Sequence, residues 1–122
     1  MRYRSLMIVL FAVVFSTCLS QLVHNAAAAT FMCADVACLL TSVETAVSNS
    51  DDLDVIELAA GTYTLTTVAN SDFGQTGIPP IFNTGLIIRG AGRDQTIIER
   101  AADAPLFRIL TIVSSSFVFI EH

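Results

Sequence analysis

Lysine is absent from this chain of 122 residues, and its two histidines are His24 and His122. Six arginines stand against eleven aspartates and glutamates, which sets the formal net charge at −5. Proteins that bind nucleic-acid phosphates carry clustered basic residues, so this balance argues against a nucleic-acid partner. The scarcity of histidine also argues against a Ser-His-Asp triad and against a zinc site built on the cysteines.

The N-terminal segment has the order of features that is typical of a secretory signal peptide. Arg2 and Arg4 supply positive charge, an apolar run covers residues 6–15, and four alanines occupy positions 26–29. The apolar run is shorter than the roughly 20 residues that a membrane span needs. We therefore predict that residues 1–29 are a signal peptide and that the protein is secreted, extracellular or at the cell surface.

Cleavage is expected near Ala28 or Ala29, since small residues precede the cut in signal peptides. An uncleaved N-terminal membrane anchor and lipoprotein processing at Cys18 are the alternatives. After cleavage 93 residues remain, which carry four arginines and all eleven acids and therefore a formal charge of −7. That length corresponds to one small domain with a modest core, or to part of a larger protein.

Cys33 and Cys38 are the two cysteines that remain after cleavage. An isolated pair in an oxidising compartment usually forms a disulfide. Five residues apart in one continuous helix, their Cα atoms would lie about 8 Å apart, too far for the bond. The bond becomes feasible where Cys33 lies just before a helix and the chain bends there. We predict this disulfide, with two free buried thiols as the alternative.

Residues 35–47 are predicted to form an amphipathic helix, because apolar residues recur at intervals of three and four. Asp35 is a suitable N-cap, and the polar run at 48–52 ends the helix. A helix with a single apolar face must lie on another apolar surface. The face consists of Val36, Leu39, Leu40, Val43 and Val47.

The rest of the chain has the pattern of short strands separated by turns. In the segment 62–66, strict alternation places Tyr63 and Leu65 on one face. A loop rich in Gly, Pro and Asn is expected at 69–80, and an apolar segment follows at 106–113. The predicted strands are Val55–Leu58, Thr62–Thr66, Leu86–Arg89, Thr96–Glu99 and Phe117–Ile120.

A repeat of 31 residues is suggested by Val55, Leu86 and Phe117, each of which opens an apolar strand after a turn. Periods of 20–50 residues are typical of solenoids. We therefore predict an all-β solenoid, the start of a right-handed parallel β-helix, with a cap at 30–54 and the first coils at 55–122. The amphipathic helix would cover the open end of the first coil, which otherwise exposes apolar side chains and a strand edge.

Two segments resemble the opening coils of secreted bacterial pectin-lyase-like proteins: IELAAGTYTL at 56–65, and LIIRGAG at 86–92 followed by TIIE at 96–99. The resemblance implies a right-handed parallel β-helix, and a cysteine-bearing segment with a capping helix, as at 33–47, is common in that family. The family includes polysaccharide lyases, hydrolases, adhesin-like surface proteins and members without known activity. Its catalytic Arg, Lys or Asp residues and its calcium-binding acids lie on later coils, and no position here matches them.

The expected function is therefore that of a structural or interaction module without activity of its own, with an extracellular polysaccharide or a cell surface as partner. The alternative is the front part of a polysaccharide lyase or glycoside hydrolase whose catalytic coils lie beyond residue 122. The sequence assigns no catalytic, cofactor-binding or metal-binding residue. Because the last strand is apolar and uncapped, its edge is expected to be covered by further coils or by another chain.

Four weaker patterns could indicate a binding site, but each also has a simpler structural interpretation. Gly90 and Gly92 lack the third glycine of a dinucleotide loop and are interpreted as a turn. The acids Asp51, Asp52 and Asp54 offer oxygens for calcium, but their spacing lacks the features of an EF-hand, and a solvated loop is the preferred interpretation.

The charged residues at 89–108 suggest a groove for acidic sugars, although surface pairs are the simpler expectation; they are Arg89, Arg93, Arg100, Arg108, Asp94, Glu99 and Asp103. The aromatic residues Phe107, Phe117 and Phe119 are expected to stack inside the coils rather than to form a carbohydrate platform.

Overall fold

A computed structural model of the chain describes residues 28–49, 53–113 and 115–122. This part consists mostly of strands in parallel sheets, together with one helix. The predicted signal peptide lies almost entirely outside the described residues. The elements in chain order are β1 Thr30–Cys33, α1 Val36–Ser48, β2 Asp54–Leu58, β3 Gly61–Leu65, β4 Gly85–Arg89, β5 Thr96–Arg100 and β6 Phe117–Glu121.

The strands form two sheets. The first contains four strands in the order β1-β2-β4-β6, and the second contains β3 and β5; every pair is parallel. The units β2-turn-β3 and β4-turn-β5 each place one strand in each sheet. Successive units therefore stack on one another, and the predicted strands are confirmed to within one residue at each end.

A third line of parallel contacts joins the segment at 75–81 to the segment at 108–113. The amide of Gly77 donates to the carbonyl of Arg108 at 2.8 Å, and the amide of Val113 donates to the carbonyl of Ile81 at 2.9 Å. The second half of the predicted loop at 69–80 is therefore not irregular. It lies against the apolar segment that follows β5, and Ile78 and Ile81 are fully buried there.

The stacking period in the first sheet is 32 residues rather than the predicted 31. Val55 pairs with Ile87, and Ile87 pairs with Phe119. The prediction aligned the first apolar residues of the strands, whereas Leu86 pairs with the acid Asp54 in β2 and with Val118, the second residue of β6. Because side chains alternate between the two faces of a strand, an error of one residue moves every side chain to the opposite face.

The core lies between the two sheets and under the helix. Inward positions of β2, β3 and β4 alternate with outer ones, and Leu39, Val43 and Ala46 of α1 are fully buried against β1, β2 and β3. Asp35 caps the helix as predicted, since its Oδ1 accepts a 2.8 Å hydrogen bond from the amide of Cys38. The strand residues in the core are Cys33, Ile56, Leu58, Tyr63, Leu65, Leu86 and Ile88.

Strand β1 was not predicted from the sequence. Its four residues pair in parallel with β2, from Thr30 opposite Val55 to Cys33 opposite Leu58. A run of four residues carries little periodicity by itself, and its partner lies 25 residues further along the chain. The pairing makes β1 an edge strand of the four-stranded sheet, beside β2.

Candidate functional site

A disulfide joins Cys33 to Cys38, as predicted. Their Cα atoms are 5.3 Å apart. Cys33 ends β1 and is buried, while Cys38 lies in the first turn of α1, so the chain bends between the strand and the helix. This bend brings the two residues within the range that a disulfide requires.

Tyr63 connects β3 to the end of β1. Its side chain is 2% exposed, and its hydroxyl donates to the carbonyl of Cys33 at 2.8 Å and contacts the carbonyl of Ala59 at 3.2 Å. Burial raises the pKa of Tyr63, against the smaller opposing effect of the Ala59 hydrogen bond and with a further contribution from the charge of Asp35. The strict alternation in β3 identified this inward position correctly.

Asp54 is a buried acid and not part of a solvated loop. It is the first residue of β2, it points inward with 0% exposure, and its Oδ1 accepts a 2.7 Å hydrogen bond from the backbone nitrogen of Ala29. Its Oδ2 is buried and finds no partner among the described residues. Asp51 and Asp52 lie outside the described residues. Within the described part of the chain, no group of three or more His, Cys, Asp or Glu residues is placed to hold a metal ion.

A row of charges crosses the outer face of the four-stranded sheet. Arg89 of β4 donates from Nη1 to Glu57 Oε1 at 3.0 Å and from Nε to Glu121 Oε2 at 2.9 Å. The register places these three residues directly beside one another on β2, β4 and β6. The hydrogen bond and charge of Glu121, and to a lesser extent those of Glu57, raise the pKa of Arg89. Arg89 therefore forms the surface pairs that the sequence led us to expect.

Arg100 and Glu99 lie on the second sheet and not beside Arg89. Arg100 occupies an inward position of the second sheet, opposite Leu65, and donates to the carbonyl of Ala104 at 2.6 Å. Its guanidinium also lies 5.9 Å from the ring centre of Phe107. Glu99 points to the other face and accepts a 3.1 Å hydrogen bond from Thr64. Arg100 thus holds the turn after β5, and it forms no ion pair with the described acidic residues, in contrast to the surface pairs expected for it.

The predicted internal stack of aromatic residues is wrong for two of its three members. Phe117 and Phe119 are 52% and 54% exposed, and their rings meet edge to face at 6.0 Å on the outer face of β6. Phe107 is half-buried and packs against the core. The physical reason is the 32-residue register, which places Val118 and not Phe117 beside the inward Leu86.

The end of the stack opposite α1 is open. Strand β6 has β4 on one side, and no described strand pairs with its other side. Its inward residue Ile120 is 72% exposed. Ile88, Ile98 and Ile120 line a groove of about 350 Å³ at this end, together with the turn that carries Arg93 and Asp94. We define this feature, β6 and the groove beside it, as the open end, and it is the strongest candidate for a functional surface.

Gly90 and Gly92 belong to that turn, which links β4 to β5 and not a strand to a helix. This arrangement confirms the turn interpretation of the glycine motif. The turn is held by Thr96, whose hydroxyl accepts a 2.9 Å hydrogen bond from the amide of Ala91. Among the described helical residues, no stretch has both the length and the apolar character needed to cross a membrane.

Comparisons of the chain with protein-family models, with curated proteins and with solved structures each find no match. Function must therefore be argued from the geometry of the molecule itself.

Proposed function

We propose that this chain is a secreted structural and interaction module that forms the capped first coils of a right-handed parallel β-helix of the pectin-lyase-like kind. The observation that carries the proposal is the contrast between its two ends. Helix α1 and the disulfide cover one end, whereas the other presents a strand edge and the exposed inward residue Ile120. Strand edges of this kind are templates for pairing with a further strand.

Three lines of parallel pairing support a helical winding of the chain. β2, β4 and β6 form the first line, β3 and β5 the second, and the segments at 75–81 and 108–113 the third. The repeating order of these lines along the sequence is the order expected of successive coils. The glycine turn and the segment resemblance described above favour the same winding.

The open end would accept a parallel strand alongside β6. Such a strand would place apolar residues next to Val118 and Ile120, which belong to the inward rows of the sheet. One of its outward-facing residues would also lie beside Glu121, the last residue in the outer row of charges. Since that row alternates from Glu57 to Arg89 to Glu121, a basic residue fits the next position.

Strand addition can be tested with two synthetic peptides that differ at one residue. Both peptides alternate apolar and polar residues, and the position that faces Glu121 carries Arg in one peptide and Glu in the other. Fluorescence anisotropy with the secreted full-length product should show tighter binding of the Arg peptide. The variant Glu121→Arg should reverse the preference.

The outcomes separate the parts of the proposal. Equal binding of the two peptides would support strand addition but reject the role of Glu121. Binding of neither peptide would contradict the open end as an interaction surface. Self-association in sedimentation experiments, with no peptide binding, would identify a second copy of the chain as the occupant instead.

A further inference from the structure

The register of β1 and β2 brings Ala29 beside the buried acid Asp54. We propose that hydrolysis of the Ala28–Ala29 peptide bond during secretion makes Ala29 the mature N-terminus, and that its new α-ammonium group is the counter-ion of Asp54. The inference rests on the proposed secretion of the chain. It assigns a processing site and gives a role to an acid that the strand pairing alone does not explain.

Two hydrogen bonds fix Ala29 in place. Its backbone nitrogen donates to Asp54 Oδ1 at 2.7 Å, and its carbonyl accepts from the amide of Val55 at 2.8 Å. The second bond continues the parallel pairing in which Thr30 lies opposite Val55. It involves no atom of the Ala28–Ala29 bond, so it persists after hydrolysis and keeps the nitrogen against the carboxyl group.

A cationic partner would stabilise the buried carboxylate of Asp54. The side chain has 0% exposure, and Oδ2 has no partner among the described residues. Burial of an ionised carboxylate is costly unless it is paired and hydrogen-bonded. A peptide nitrogen offers one N–H to the two oxygens, whereas an α-ammonium group offers three N–H donors and a positive charge.

The sequence before Ala29 fits hydrolysis at this bond. Small residues at Ala26 and Ala28 form the A-x-A pattern that precedes a signal-peptidase cut. Addition of one water molecule leaves a carboxylate on Ala28 and an amine on Ala29, which is protonated at pH 7 because α-amino groups have a pKa of about 7.7–8.0. Cleavage one residue later would instead remove the nitrogen that contacts Asp54. The structure thus favours one of the two cuts that the sequence leaves open.

The primary test is the N-terminus of the secreted product. The full-length chain is expressed in a secreting host, and the product is analysed by intact mass and by N-terminal sequencing. We expect a protein that begins at Ala29. A secreted protein that begins at any other residue would overturn the inference but leave the proposed secretion intact, whereas a cell-retained, uncleaved chain would contradict the secretion itself.

A second test measures chemical labelling of the N-terminal amine, which is possible because the chain contains no lysine. In a chain that begins at Ala29, the α-amine is the sole primary amine, so an acetylating reagent for amines labels a single site. If the ammonium group is paired with Asp54, the folded protein should react at least about tenfold more slowly than the urea-unfolded protein. The variant Asp54→Asn should remove most of that protection.

A matched control is Glu57→Gln, a half-buried acid on the outer face of the same strand, which should leave the protection unchanged. Equal labelling rates in folded and unfolded wild-type protein would contradict the ion pair even if cleavage occurs at Ala28. This comparison needs no variant, so the test stands if Asp54→Asn fails to fold.

Discussion

The hydroxyl group of Tyr63 donates a 2.8 Å hydrogen bond to the carbonyl oxygen of Cys33, which lies thirty residues earlier in the chain. The same carbonyl also accepts a 2.8 Å hydrogen bond from the amide of Ala59. Removal of the hydroxyl in Tyr63→Phe would therefore not leave the carbonyl unpaired. We expect a loss of about 1 kcal/mol in the free energy of unfolding, measured by urea denaturation. A loss above about 3 kcal/mol would show that the ring itself is displaced.

The ionisation of Tyr63 should make stability fall at alkaline pH. Burial raises its pKa in the folded protein, so the folded state holds the proton more tightly than the unfolded state does. The resulting stabilisation is present below the unfolded pKa of about 10 and is lost as the pH rises through the folded value. Urea midpoints measured between pH 8 and pH 11 should decline more steeply for the wild type than for Tyr63→Phe. Parallel curves for the two proteins would contradict this account.

The burial of the capping helix can be tested with two leucines. Leu39 of α1 has 0% exposure, whereas Leu106 in the segment after β5 is 81% exposed. Leu39→Ala should lower the free energy of unfolding by about 2–5 kcal/mol, because it removes core contacts and leaves a cavity. Leu106→Ala should change it by less than about 0.5 kcal/mol. Similar small effects of both substitutions would mean that α1 is not packed on the sheets in solution.

Leu39 also illustrates what the sequence could predict. Apolar spacing placed it on the inner face of a helix, and strict alternation placed Tyr63 and Leu65 inside a strand, because both patterns depend only on neighbouring residues. The register between strands depends on turn lengths instead, and the one-residue error there reversed the faces assigned to Phe117 and Phe119.

The prediction that Asp54 lies in a solvated loop was wrong for a related reason. Its neighbours Asp51 and Asp52 suggested a solvated loop, although its own alternation with Ile56 is that of an inward strand residue. Its partner, Ala29, is the last residue of the predicted signal peptide. The two residues are 25 positions apart in the chain, and a hydrogen bond between an amide and a carboxylate at that separation produces no periodic pattern in the sequence.

Reduction of the disulfide should weaken the cap without abolishing the fold. The bond between Cys33 and Cys38 closes a short loop, with a sequence separation of five. Loop-closure entropy for about six residues corresponds to about 2 kcal/mol. Denaturation of the wild type with and without a phosphine reductant should differ by that amount. The double variant Cys33→Ala with Cys38→Ala should show no response to the reductant, and a response in that variant would indicate an unrelated effect.

Gly77, in the third line of contacts, lies close to the core. A Cβ atom at this position would lie 2.9 Å from Cδ1 of the buried Leu65 and would overlap the ring of Phe107. Because the amide of Gly77 is bonded to the carbonyl of Arg108, the backbone has little freedom to move away. Gly77→Ala should therefore cost about 1–3 kcal/mol through overpacking, as measured by urea denaturation.

The companion variant Phe107→Leu tests whether the ring causes that cost. A leucine at this position lacks Cε2, the ring atom nearest to the new methyl group, so the double variant should be less destabilised than the sum of the two single variants. A favourable coupling of at least about 0.5 kcal/mol is expected for residues in direct contact. Strict additivity would show that the segment at 75–81 does not pack against the ring of Phe107 in solution.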